Sequence, residues 1–251
     1  MSKIIDRQIL KHFKGKGHFD RDTLSSFLTD LDPEITESVL TWRIHDLLKR
    51  KVIDQVKLGV YIISDKVAYK PFVSDKLARL SKIVTKEFDG LDYCLWTTEW
   101  LNDFTRHQLG TFFYILEVEK DFVEEVFNAY SESKQYRVYL DPKEDIMERY
   151  VESEISIVIK PLISRSPKQK IAIKEKSKDK IFVPTLEKLL IDVYSDTVTF
   201  YAIQGSEMDT LFENALKRHQ INFTKLISYA RRRNKEEQIK SYLENNFGDF
   251  V

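Results

Sequence analysis

The sequence predicts an α+β protein: an N-terminal winged helix-turn-helix followed by an α/β domain with a helical C-terminal part. Three observations lead to this fold class. Residues 1–66 carry three helix-type apolar patterns and then two short strand-type runs, residues 91–183 alternate between strand and helix patterns, and residues 184–251 are helical in pattern. Residues 67–90 are predicted to form a connecting helix. A composition of 42% hydrophobic and 32% charged residues suits such a folded protein.

Three helices are predicted in the first 66 residues, because apolar side chains recur there every three or four positions. The second helix begins after Asp20, a good N-cap, and the third begins at Thr36. Residues 52–56 and 60–63 flank a turn and predict a β-hairpin. The side chains expected to face the core are Ile5, Ile9, Leu10 and Phe13, then Leu24, Phe27 and Leu28, then Leu40, Ile44, Leu47 and Leu48.

The middle of the chain alternates between strands and helices, which is typical of an α/β unit. The predicted order is a helix at 71–88, a strand at 93–96, a helix at 99–107, a strand at 111–118, a helix at 122–131, a strand at 136–140, a helix at 143–151 and a strand at 155–159. A basic block at 160–180 follows, with 171–173 as a short strand. Helices then continue to the end, with breaks near Asp196, Gly205, Asn222 and Asn234.

Charge is balanced overall but segregated along the chain. The 40 Lys and Arg residues equal the 40 Asp and Glu residues, which excludes a protein that is basic throughout. Residues 1–66 carry 12 basic and 10 acidic side chains, residues 67–159 carry 11 and 18, and residues 160–180 carry 8 and 2. The first segment is therefore only mildly positive, while an acidic middle precedes a strongly basic block.

The sequence indicates a cytoplasmic protein without a membrane anchor. Its single cysteine, Cys94, cannot form an intrachain disulfide, which fits a reducing compartment. No run of about 18 apolar residues is present. The first residues lack the long apolar run of a secretion signal.

The third helix is the candidate DNA-reading element. With its apolar residues packed inward, its other face presents hydrogen-bond donors and an aromatic ring suited to the major groove. Basic residues at its end and at the hairpin tip are expected to contact phosphates of a double-stranded operator. The predicted DNA-binding residues are Ser38, Thr41, Trp42, Arg43, His45, Lys49, Arg50 and Lys57. The alternative is that the winged domain binds a protein and that its basic residues only keep it soluble.

Enzymatic motifs are sparse. The sequence contains no P-loop, Rossmann glycine pattern or Ser-His-Asp order, and its five histidines lack zinc-ligand spacing, so no cofactor and no metal site are predicted. One alternative stays open: Glu117, Glu119 and Lys120 end a strong strand, as in metal-dependent nucleases that add an upstream acid such as Asp92 or Asp103. The competing interpretation is a strand whose polar end meets solvent.

A run of three arginines, Arg231, Arg232 and Arg233, ends the helix that Asn222 is expected to cap. Cations at that end complement the helix dipole. In the alternative interpretation, these arginines belong to a second surface that binds an anionic partner. That surface also includes Lys217, Arg218, Lys225 and the block at 160–180.

Three segments resemble the AbiEi-like antitoxin family, whose members are regulators from type IV toxin-antitoxin and abortive-infection operons. Residues 41–49 with 59–62 are similar to its recognition helix and wing, residues 184–192 (PTLEKLLID) to its Leu-Glu-Lys helix, and residues 223–230 (FTKLISYA) to its Leu-x-x-Tyr-Ala helix. The middle of the chain looks closer to an uncharacterised Bacteroidetes branch. The resemblance implies a DNA-binding autorepressor encoded beside a nucleotidyltransferase-like toxin. A homodimer, or two copies on a repeated site, is expected, because one head offers few DNA contacts. The wing departs from the family by placing Lys57-Leu58 before Gly59, where many relatives have arginine.

Overall fold

The computed structural model describes residues 2–50, 52–64, 66–151, 155–173 and 179–248. It divides the chain into two compact units. The head comprises the N-terminal residues to Ala68 with the C-terminal residues from Phe247, and the body comprises residues 69–246. Helices and several sheets occur together, so the α+β class predicted from the sequence is confirmed.

The head consists of three helices and a small antiparallel sheet. Its elements are α1 (Ser2–Phe13), β1 (Phe19–Asp20), α2 (Arg21–Leu31), α3 (Glu37–Lys49), β2 (Ile53–Lys57) and β3 (Val60–Ile63). The strands lie in the order β1-β3-β2. Asp20 caps α2 as predicted, since its Oδ1 accepts a hydrogen bond of 2.8 Å from the Thr23 amide. This order of elements is the one expected for a winged helix-turn-helix.

The core of the head is built from the predicted apolar stripes. Its buried side chains include Ile9, Phe13, Leu24, Leu28, Leu40, Ile44, Leu47 and Ile53. The expectation that Leu10 faces the core was wrong, because this side chain is exposed. Successive residues of an α-helix point about 100° apart, so Ile9 and Leu10 do not share one face.

The body contains a four-stranded sheet. Its first elements are α4 (Asp75–Glu87), β4 (Tyr93–Thr97), β5 (Tyr114–Val118), α5 (Val123–Glu132), β6 (Arg137–Leu140), α6 (Glu144–Tyr150) and β7 (Ser156–Pro161). The strands lie in the order β4-β5-β7-β6. β4 is antiparallel to β5, whereas β5 and β6 both run parallel to β7. The three parallel strands therefore end at one edge of the sheet.

The helix predicted at 99–107 was wrong in kind and length. A single 3-10 helix, Thr98–Asp103, occupies the start of this segment. The Asn102 side chain accepts a hydrogen bond of 2.7 Å from the Leu109 amide, which turns the chain back toward β5. This side-chain hydrogen bond to the backbone competes with the backbone hydrogen bonds that would continue the helix.

A hairpin and four helices complete the body. They are β8 (Lys168–Ala172), β9 (Lys180–Pro184), α7 (Leu186–Ser195), α8 (Ser206–Arg218), α9 (Phe223–Arg232) and α10 (Glu236–Phe247). α7 is buried on nearly all sides and packs against α8 and α9. Asn222 caps α9 as predicted, accepting a hydrogen bond from the Lys225 amide. Among the described residues, no helix is long and apolar enough to cross a membrane.

Candidate functional site

One line of side chains is exposed along the whole length of α3. Ser38, Trp42, His45 and Lys49 follow one another at intervals of four, three and four positions, which aligns them on one side of an α-helix. We call these four residues the α3 stripe. The buried side chains of α3 lie on the opposite side: Leu40, Ile44 and Leu47. Trp42 is 64% exposed and is flanked by exposed Val39, so the stripe presents apolar as well as polar surface.

Thr41, the next predicted DNA contact, is held by α2. Its Oγ1 accepts a hydrogen bond of 2.9 Å from the Arg21 guanidinium, which also lies 3.3 Å from the Glu37 carboxylate. Thr41 remains exposed beside the stripe. This bond therefore ties α3 to α2. Within the stripe, the Ser38 hydroxyl is 3.1 Å from the Thr36 hydroxyl, at hydrogen-bond distance.

Arg43 does not lie among the free donors of α3, and its predicted place nearest the bases stays a prediction. Its guanidinium donates a hydrogen bond of 2.8 Å to Asp32, at the end of α2, and the side chain is only 18% exposed. Arg43 lies about 100° around the helix from Trp42, so it points along the flank. The ion pair fixes the angle between α2 and α3.

Arg50 is likewise engaged within the head. Its Nε donates to Asp46 at 2.7 Å and its Nη1 to Asp6 at 2.5 Å. The hydrogen bond that Arg50 donates to Asp6 raises the Arg50 pKa above its ordinary value. Arg50 thus fastens the end of α3 to α1, and its predicted contact with phosphates stays a prediction. The backbone of Lys57 ends β2, but its side chain lies outside what the structure describes.

The nuclease-like constellation is not formed. Glu117 is buried and bound by Lys188, while Glu119 accepts a hydrogen bond of 3.1 Å from the Asp92 amide. Within the part of the chain that the structure describes, no three His, Cys, Asp or Glu side chains are placed to hold a metal ion. Glu117 therefore has a different partner from the one that a metal mechanism requires.

A buried charged network, which the sequence did not predict, lies at the centre of the body. Lys188 on α7 is 0% exposed, and its Nζ lies 2.8 Å from Oε1 and 2.7 Å from Oε2 of Glu117. The same ammonium contacts Asp192 one turn further along α7. Tyr229 on α9 donates a hydrogen bond of 2.6 Å to Asp192. Four side chains from β5, α7 and α9 thereby form one network of hydrogen bonds and ion pairs.

The electrostatics of this network keep Lys188 charged. Burial by itself lowers the pKa of Lys188, but the carboxylates of Asp192 and Glu117 beside it raise that pKa well above its ordinary value. Burial also raises the pKa of the Tyr229 hydroxyl, which stays a neutral donor. One signal was present in the sequence, since Lys188 and Asp192 interrupt the apolar run of α7 at a spacing of four residues.

A second ionic cluster lies beside the first. Lys160, near the end of β7, donates to Asp196 at 2.6 Å and to Thr199 at 2.7 Å, and it lies 3.3 Å from Asp141. Burial raises the pKa of Asp196, but Lys160 and the bonds from Thr199 outweigh burial and lower it. Both clusters border a cavity of about 190 Å³.

Several basic side chains of the alternative second surface have partners within the body. Arg231 is paired with Glu236, whereas Arg233 points toward Asp192. In the block at 160–180, Lys170 lies over the Phe182 ring at 4.8 Å and Lys168 is paired with Asp92. Lys174, Lys176 and Lys178 lie outside the described residues.

Comparison with known proteins places most of the chain in one family. Residues 39–249 match the family of unknown function DUF6577. No curated protein matches the chain.

Proposed function

The chain belongs to the DUF6577 family, whose function is unknown, and we propose from its own geometry that it is a DNA-binding transcriptional regulator. The observation that carries the proposal is the α3 stripe, a row of exposed residues on the third helix of a head whose element order is that of a winged helix-turn-helix. The major groove is about 12 Å wide and admits one α-helix. The N-terminal residues of such a helix contact base edges.

The stripe supplies the chemistry that reading DNA requires. Ser38 and His45 offer hydrogen-bonding groups, and Trp42 offers an apolar face for thymine methyl groups. Lys49, at the end of the helix, is placed for a phosphate. Arg43 and Arg50 support the stripe from its flank through their bonds to Asp32 and Asp46. The structure thus supports a smaller set of contacts than the sequence predicted.

The modest charge of the head supports a second proposal about assembly. With 12 basic and 10 acidic residues in the first 66, one head neutralises few phosphates. We therefore propose that two copies act together, as a dimer or on a repeated site in the cytoplasm. Half-sites would then be spaced by about one helical turn, roughly 34–36 Å, or a multiple of it.

The test is binding of the full chain to the DNA upstream of its own coding sequence, followed by fluorescence anisotropy. Trp42→Ala is expected to cost about 1–3 kcal/mol of binding free energy, and Lys49→Ala to reduce the slope of log affinity against log salt by about 1. Lys86→Ala removes an exposed lysine of α4 and serves as the matched control. Equal binding by wild type, Trp42→Ala and Lys49→Ala would show that the α3 stripe does not contact the DNA.

The three segments that resemble AbiEi-like antitoxins support a narrower proposal: an autorepressor that also neutralises a nucleotidyltransferase-like toxin. Coexpression with the product of the neighbouring gene tests it. We expect that product to co-purify and the Trp42→Ala variant to retain it. Co-purification without any DNA binding would support a purely protein-binding module and contradict the regulator.

A further inference from the structure

The cavity of about 190 Å³ in the body lies where α/β proteins place their ligands. Its lining includes Glu117 from the end of β5, Asp141 directly after β6 and Lys160 near the end of β7. These are the carboxyl ends of three mutually parallel strands, the edge at which open α/β sheets bind small molecules. The volume is below the roughly 300–1,000 Å³ typical of drug-sized ligands, so only a small molecule fits.

Two residues that line this cavity each carry a buried N–H donor without an acceptor among the described residues. Trp96, on β4, is 1% exposed, and its Nε1 has no hydrogen-bond partner among the described residues. The Nε of Arg233 is also buried without one, because Asp192 Oδ1 is 3.7 Å away, beyond hydrogen-bond distance. A buried unpaired donor costs about 1–3 kcal/mol. A ligand that supplies an oxygen acceptor relieves this cost.

The charges around the cavity define the rest of the ligand. Lys188 is matched by Glu117 and Asp192, and Lys160 is matched by Asp196. Among the described cations around the cavity, Arg233 is the one that has no hydrogen bond to a carboxylate. Asp141 is 62% exposed and reaches Lys160 only at 3.3 Å, which leaves it open to a second cation.

We propose that this cavity binds a small zwitterion of the free α-amino-acid class. Its carboxylate accepts hydrogen bonds from Arg233 and Trp96, and its ammonium group pairs with Asp141. A simple anion lacks the positive group that Asp141 attracts, and a neutral carbonyl compound lacks the negative charge that Arg233 attracts. This inference does not depend on DNA binding by the head.

The first experiment measures thermal unfolding and calorimetric binding of the full chain with each of the twenty common amino acids. At least one is expected to bind saturably and to raise the Tm. Arg233→Gln is expected to weaken that binding by about 10- to 100-fold, since a hydrogen bond to a charged group is lost. Arg232→Gln changes the exposed neighbour outside the cavity and should bind like wild type.

A second variant keeps the test decisive if Arg233→Gln does not fold. Trp96→Phe removes the unpaired indole N–H and keeps an aromatic ring against Phe200, so affinity should fall by about 2- to 12-fold. Trp100→Phe is the matched control, because its indole N–H already donates to the Phe72 carbonyl. Unchanged affinity in Trp96→Phe contradicts the proposed carboxylate position.

Two further ligands separate the zwitterion from simpler chemistry. Acetate carries the carboxylate alone, and uracil carries carbonyl groups without charge. We expect neither to raise the Tm at concentrations at which the amino acid does. An equal effect of acetate, an effect of uracil, or no effect of any amino acid overturns the proposal.

Discussion

The head and the body use their cations in opposite ways. In the head, Arg43 and Arg50 form ion pairs at the flank of α3, where water still reaches them, and Lys49 stays exposed. In the body, Lys188 is completely buried between Glu117 and Asp192. Partly exposed pairs contribute little to stability, whereas a buried charge that loses its partner is strongly destabilising. The head can therefore tolerate changes in its charges that the body cannot.

The largest effect is expected from Lys188→Met. It should lower the free energy of unfolding by about 3–5 kcal/mol, because Glu117 and Asp192 remain buried without a cation. Urea denaturation measures this change, and Lys86→Met, on the exposed side of α4, should stay within about 0.5 kcal/mol of wild type. Adding Glu117→Gln and Asp192→Asn to Lys188→Met should recover much of the loss. A triple variant as unstable as the single one would contradict an electrostatic origin.

A smaller effect is expected from Tyr229→Phe. The change removes the hydroxyl that donates to Asp192 and should lower the free energy of unfolding by about 1–3 kcal/mol. Tyr150→Phe, at an exposed tyrosine, provides the comparison. If both variants unfold at the same urea concentration, the Tyr229 hydroxyl contributes nothing to the network.

Arg43→Ala tests how much a partly exposed ion pair of the head contributes to stability. We expect a loss of about 1 kcal/mol in stability, since a partly exposed ion pair to Asp32 is broken, with little change in DNA affinity. The same loss should appear in Asp32→Ala, and the double variant should lose no more than either single one. Weaker DNA binding by Arg43→Ala at unchanged stability would show that Arg43 contacts the DNA.

The last prediction concerns Asp196, whose stabilising contribution is present at neutral pH and is lost only in acid. Lys160 and Thr199 hold the Asp196 pKa below its ordinary value. Its stabilising contribution is thus complete above the unfolded pKa of about 3.9 and is lost as the pH falls through the folded pKa. Denaturation midpoints between pH 5 and pH 2, to be measured at about one-unit steps, should fall more steeply for wild type than for Asp196→Asn. Parallel curves of midpoint against pH for the two proteins would exclude a contribution of the lowered Asp196 pKa to stability.

Local features of the fold were accessible from the sequence. The apolar stripes of α2 and α3, the caps at Asp20 and Asn222 and the alternation around β5 depend on spacings of two to four residues. The site was predicted less well. Trp42 and Lys49 are exposed as expected, but Arg43 is engaged by Asp32 and Arg50 by Asp46 and Asp6. Only the pair Asp46 and Arg50 has a helical spacing, four residues, that the sequence shows.

By itself, the sequence determined the fold class, most of the helices and strands and most of the buried helix faces, because backbone geometry repeats over a few residues and apolar side chains report that repeat. Only the tertiary structure decided which charges meet. Glu117 and Lys188 are 71 positions apart, and their contact depends on how α7 packs beside β5. Coulomb attraction is strong where water is excluded, and only the complete packing shows where that is. For the same reason the cavity beside them could not be read from any single segment.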